Sequence, residues 1–169
     1  WEIEGRSRFV AQEQLGSVAA PGSISPAFGE LRVSVRNSLL AADSGERAAA
    51  RAAFEENEGS LAQLLQEYGA SLVSDERNRQ FLARFLELNR RYVDESRQVI
   101  ALAEEARHDE ALARFRGSAG PTGVTLTSVS REWIQHNKDL GTAGARAEIA
   151  AIEATRSQIV GVNLVPHGL

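Results

Sequence analysis

Residues 75–106, "DERNRQFLARFLELNRRYVDESRQVIALAEEA", decide the fold. At 100° per residue, Phe81, Phe85, Leu88, Tyr92, Val99 and Ala103 fall within roughly 60° of one another, whereas a strand period would scatter them over two faces. Asn89 and Ser96 are the polar residues nearest that stripe. The stretch predicts a long amphipathic helix facing a core, with a few polar contacts built into its apolar side. "SDER" opens it, with Ser74 as N-cap and Arg77 where a capping box would carry Glu.

Working outward, "ERAAARAAFEENEGSLAQLLQEYGASL" (46–72) predicts a preceding helix that ends near residues 69–74. Its start is marked by "ADSGER", with Asp43 or Ser44 as N-cap and Glu46 in the first turn. A first helix runs from about Pro26, an acceptable first-turn proline, to Ala42. Residues 1–25 are interrupted by Pro21-Gly22 and read as a bent or frayed lead-in. Within them "IEGR" (3–6) reads equally as a protease-cleavage tag or as native sequence. On the other side, "RHDEALARFRGSAGPTG" (107–123) gives a turn, a helical stretch and a Gly-Pro break, which leaves backbone N–H groups for an anion. A last helix follows from about Thr122 to Ile159, with the stripe Leu126, Val129, Trp133, Leu140, Ala147 and Ala151 flanked by Ser130 and Asn137. Four long helices joined by short turns predict an all-α, antiparallel up-down-up-down four-helix bundle. The expected domain organisation is a lead-in over 1–25, the bundle over 26–163 and a tail over 164–169.

Composition agrees with that class. The 169 residues suit one domain, and 43% hydrophobic with 25% charged residues is a globular balance. The formal charge of −4, with arginines interleaved among glutamates, argues against a nucleic-acid partner. With no cysteine, neither a disulfide framework nor a thiolate metal site can form. No apolar run approaches the ~20 residues of a bilayer span. A chain without Met is expected to be a piece of a longer protein.

Chemistry-bearing patterns are sparse. Only Glu105 and His108 have the Glu-x-x-His spacing, where a di-metal carboxylate bundle needs two. Glu132 and His136 stand one turn apart as an ordinary surface pair. There is no nucleophile elbow or phosphate loop, so no enzyme, metal site or cofactor is expected. One feature stands out in "LRVSVRNSLL" (31–40). Arg32 and Arg36 lie on the helical face between Phe28, Val35 and Leu39 on one side and Val33 and Leu40 on the other. Either they snorkel, or they pair internally with Glu30 or acids of a neighbouring helix, or they meet an anion.

In order and spacing, "DSGER" (43–47), "SDERNRQFLARFLELNRRY" (74–92), "LAEEARHDEAL" (102–112) and "WIQHNKDL" (133–140) resemble the periplasmic four-helix-bundle sensor domain of methyl-accepting chemotaxis proteins. The resemblance covers roughly residues 26–160. It implies a homodimeric, membrane-anchored receptor with cytoplasmic signalling partners, whose periplasmic domain binds a small anionic metabolite near the dimer interface. By position, it makes Arg32 and Arg36 a carboxylate clamp, with Thr125, Thr127 and Ser130 as hydroxyl partners. On the third helix Tyr92 points into the stripe and Arg91 lies at its edge, which offers a further hydroxyl and another charge. Guanidinium forks suit that task because they bind carboxylates bidentately and stay charged. Two arginines with hydroxyl partners favour a di- or tricarboxylate such as malate or citrate over a neutral compound.

Each residue also has a structural reading. Tyr92 more often serves as a core tyrosine with a satisfied hydroxyl, Thr125 and Thr127 also read as loop or capping residues, and Asn89 as a register contact across the bundle. Arg90 and Arg91 read as a solvated face. The competing class is a structural or interaction bundle with no small-molecule ligand. A sensor-kinase context would share the fold and the ligand logic.

Overall fold

The computed structural model describes residues 2–71 and 75–162, with side chains described over 21–70 and 75–159. Five helices follow one another: α1 Glu2–Leu40, α2 Ser44–Ser71, α3 Glu76–Glu104, α4 His108–Gly117 and α5 Ala119–Val162. Among the described residues there is no strand, and no helix is long and apolar enough to cross a membrane. α1 packs against α2 and α5, and α3 packs against α2, α4 and α5. α4 and α5 together form the fourth arm of an all-α four-helix bundle.

Capping explains the starts. Asp43 Oδ1 accepts from the Glu46 amide at 2.8 Å, and Glu46 reaches back to the Ala42 amide at 2.7 Å, so the "DSGE" signal closes as read. For α3 the cap is Asp75 rather than Ser74. Its backbone is extended (φ −138°, ψ 165°) and its Oδ1 accepts from the Asn78 amide at 2.6 Å. Ser74 itself lies outside the described residues.

Two expectations need correction. α1 does not begin near Pro26 but runs through both Pro21 and Pro26. Each internal proline removes one ladder bond, yet Ile24 and Phe28 flank Pro26 in one buried stripe with Leu31, Val35 and Leu39. Burying each such side chain contributes roughly 1.5–3 kcal/mol, enough in sum to offset a break at Pro26 that costs ~3 kcal/mol. The second correction concerns the Gly-Pro stretch. The chain breaks at Ser118 alone, and Gly120, Pro121 and Gly123 sit inside α5. Pro121 lies in the first turn, where its missing N–H leaves no bond unmade.

The core is built on Trp133, fully buried and met edge-on by Tyr68 (5.0 Å) and in parallel by Phe81 (6.2 Å). Phe28 joins Phe85 (5.9 Å) and Tyr92 (5.2 Å) across α1 and α3. The α3 stripe is buried as read, apart from half-buried Leu88. Among the described residues the buried face of α5 ends at Asn137, opposite the start of α3. Leu140, Ala147 and Ala151 are exposed, contrary to the sequence stripe.

α3 ends in a Schellman motif: the Arg107 amide donates to Leu102 O and the Ala106 amide to Ala103 O, both at 3.0 Å. The position that usually holds glycine is Ala106, at φ 58°. Its Cβ crowds the carbonyl there, so Ala106→Gly is expected to raise stability by about 0.5–1 kcal/mol despite glycine's looser unfolded state. Urea denaturation checks this, and an unchanged or lower midpoint would contradict the strain.

Candidate functional site

The site is set by three helices that meet at one level. Arg32 on α1 is half-buried, and its Nη1 donates to Thr127 Oγ1 on α5 at 2.9 Å. The Thr127 hydroxyl in turn donates to Gly123 O, one turn back, at 3.0 Å. Tyr92 on α3 is buried against Phe28 and lies over Gly123. A Cβ at Gly123 would stand 3.1 Å from the Tyr92 ring and 3.3 Å from Arg32 Nε, so the missing side chain is what lets both approach α5. Burial pushes the Tyr92 phenol above its ordinary pKa, against the pull of Ser96 and the charges of Arg32 and Arg36. At neutral pH it is therefore a neutral hydroxyl under the influence of two cations.

Arg36 is exposed one turn further along α1. Among the described residues neither Arg32 nor Arg36 pairs with a carboxylate, so the internal-pairing reading with Glu30 does not hold. The Glu95 carboxylate is engaged instead: Arg91 Nε donates to its Oε1 at 2.9 Å and Thr122 Oγ1 to its Oε2 at 2.7 Å. Arg91 is thereby tied on the outer face. Thr125 is exposed and donates to Pro121 O at 3.2 Å, away from the arginines. Ser130 is buried one turn beyond Thr127, with its Oγ unpartnered. The structure thus gathers Arg32, Tyr92 and Thr127, keeps Arg36 close enough for its charge to act on Tyr92, and leaves Thr125 outside.

Part of the backbone read as an anion site over residues 117–123 is already spoken for. Pro121 has no N–H, and the Thr122 amide donates to Ser118 O at 3.1 Å. Three clefts mark the surface: about 710 Å³ between α3 and α4 beside Leu102 and Arg114, about 450 Å³ between α1 and α2 beside Asn37 and Ala53, and about 520 Å³ between α3 and α5 beside Arg77 and His136. Arg32 and Arg36 line none of these three.

Residues 3–149 match the sequence profile of the four-helix-bundle sensory modules for signal transduction. The chain belongs to this family. No match to a curated protein accompanies it. The match takes in α1 to α4 and α5 as far as Ile149, so the sensory module includes the segment before Pro26.

Sequence reasoning missed several residues of the module. Glu95 and Thr122 were invisible because only the packing of α3 on α5 brings them together. Asn78 had a signal: it sits seven residues before Phe85 and fourteen before Tyr92, so it extends the α3 stripe. Gly123 and Gly59 provide a paired test of the site's close packing. Gly59 has nothing near a prospective Cβ, so Gly59→Ala is expected to add about 0.5–1 kcal/mol from helix propensity. Gly123→Ala should forfeit that gain and destabilise, because Tyr92 and Arg32 must both move. Equal stabilisation of the two variants in urea melts would contradict the tight three-helix contact.

Proposed function

We propose that this sensory module is the extracytoplasmic ligand-binding domain of a chemotaxis receptor, and that it recognises a small di- or tricarboxylate, malate or citrate being representative. The observation that carries the reading is the pair of arginines on α1 without a carboxylate partner, one resting on a threonine hydroxyl beside a buried tyrosine. A ligand carboxylate offers Arg32 a charged acceptor in place of a neutral one, and charge-assisted bonds are roughly twice as strong as neutral ones. An amino-acid ligand would need an acceptor for its ammonium group, and both oxygens of nearby Glu95 already accept from Arg91 and Thr122.

The reading includes a homodimer. Val33 and Leu40 are exposed on α1 on either side of Arg36, so a second copy laid along α1 would cover apolar surface and enclose the arginines. In the whole receptor the module is periplasmic, membrane-anchored and coupled to cytoplasmic signalling partners, and it performs no catalysis. Ligand binding then acts by favouring one arrangement of helices over another.

The other class is a structural or interaction bundle, in which the Arg32–Thr127 bond simply joins α1 to α5. A thermal-shift screen of the chain against organic acids and amino acids separates the two. Ligand at a hundred times its Kd stabilises by about 2.7 kcal/mol, on the order of 5–10 °C for a domain of this size. The expected result is a shift with a di- or tricarboxylate that is lost in Arg32→Ala and Arg36→Ala. Indifference to every acid, or a shift that survives both substitutions, would reject the carboxylate reading.

A further inference from the structure

The seam between α3 and α5 carries an amide cluster in the dry core. Asn78 Nδ2 donates to Asn137 Oδ1 at 3.1 Å, and Asn137 Nδ2 donates back to Asn78 Oδ1 at 3.0 Å. The same Asn78 oxygen accepts from Trp133 Nε1 at 2.9 Å, and Asn137 Nδ2 also reaches Trp133 O at 3.0 Å. Both asparagines and the tryptophan are at most 1% exposed. Apolar side chains would fill this space with no need for matched donors and acceptors, so the cluster is not needed to fill the core.

The apolar faces on either side do not define a level along the helices. On α3 Phe85, Tyr92 and Val99 repeat every seven residues, and on α5 Ala119, Leu126 and Trp133 do the same. Stripes with that repeat say which faces meet, and meet almost as well after a slide; a buried polar pair is the recognised means of forbidding the slide. A displaced Asn78 would face a hydrocarbon with its amide unmatched, and so would Asn137. The consequence reaches the arginine site. Asn78 to Tyr92 and Gly123 to Asn137 are the same fourteen residues, so the amide pair sets Tyr92 opposite Gly123 about 21 Å away.

Other seams are tied differently. Between α1 and α5 the Arg32 to Thr127 hydrogen bond is partly open to solvent. We propose that Asn78, Asn137 and Trp133 form a register lock that makes α3 and α5 a single rigid body, so that any axial displacement of α5 carries α3 with it and is taken up against α1. The lock is independent of which ligand, if any, the arginines hold.

Disulfide trapping tests it, because the chain has no cysteine and only introduced thiols can react. Glu95 and Thr122 touch across the seam, so Glu95→Cys with Thr122→Cys reports the observed register. Glu95→Cys with Thr125→Cys, one turn along α5 and more exposed, reports a slide. Each pair is oxidised in the parent and in the background Asn78→Leu, Trp133→Phe, Asn137→Leu. The parent is expected to favour the 95–122 bond by on the order of tenfold or more in rate, and the apolar background to lose most of that preference while keeping its helical circular dichroism. An apolar background that folds and keeps the full preference would overturn the proposal. Should that background not fold, Asn137→Ser takes its place: a narrowed preference supports the lock, and an unchanged one overturns it.

Discussion

An indole in a protein core needs two things at once: apolar partners for its rings and an acceptor for its N–H. Trp133 has Tyr68, Phe81 and Phe85 for the first and Asn78 for the second. Supplying that acceptor puts a whole amide in the core, and the amide's remaining groups must be matched as well. Asn137, one turn beyond Trp133, matches them. Asp75, which caps α3 through one carboxylate oxygen, meets His136 with the other at 3.3 Å. One buried N–H thus organises the start of α3 and its pairing with α5.

From that fixed seam the rest of the site follows by helical geometry. Tyr92 stands four turns along α3, Gly123 four turns back along α5, and the space left by the glycine admits the guanidinium of Arg32 from α1. The bundle elsewhere is held by ordinary means. Arg97 to Glu58 at 2.6 Å and the Arg51–Glu104 pair link α2 to α3 at the surface, and Asn57 to Ser34 at 2.9 Å links α2 to α1. Exposed ion pairs of that kind are worth little individually, so they align helices without stiffening the site. What distinguishes the α1 face is an unmatched positive charge beside a buried hydroxyl, in a chain whose net charge is negative.

The sequence was informative where one period dominates. The α3 stripe, the all-helical class and the convergence of Arg32 with Thr127 were legible, because each depends on spacing within a helix or on a family resemblance. Proline was read as a break, since local chemistry says so; burial of Ile24 and Phe28 around Pro26 overrides it, and that is a tertiary fact. The stripe on α5 was extended too far for a related reason, because period alone cannot reveal that α3 starts only opposite Asn137. Thr125 fell outside the site because, two residues before Thr127, it projects about 200° away around α5 and is exposed. Asp75 displaced Ser74 as cap, a shift of one residue at a boundary where several capping side chains stand together.

The central claim is that Arg32 and Arg36 hold a carboxylate and that Arg32 leaves Thr127 to do so. Arginine Nε–H resonances of the 15N-labelled chain, titrated with malate and separately with citrate and assigned by Arg32→Lys and Arg36→Lys, test it directly. The account predicts saturable shifts of the Arg32 and Arg36 signals with one of the two acids, the Arg32 signal moving least in a Thr127→Val background where the resting bond is already gone. Silent Arg32 and Arg36 signals, or shifts confined to arginines elsewhere such as Arg131 on the opposite cleft, would contradict it.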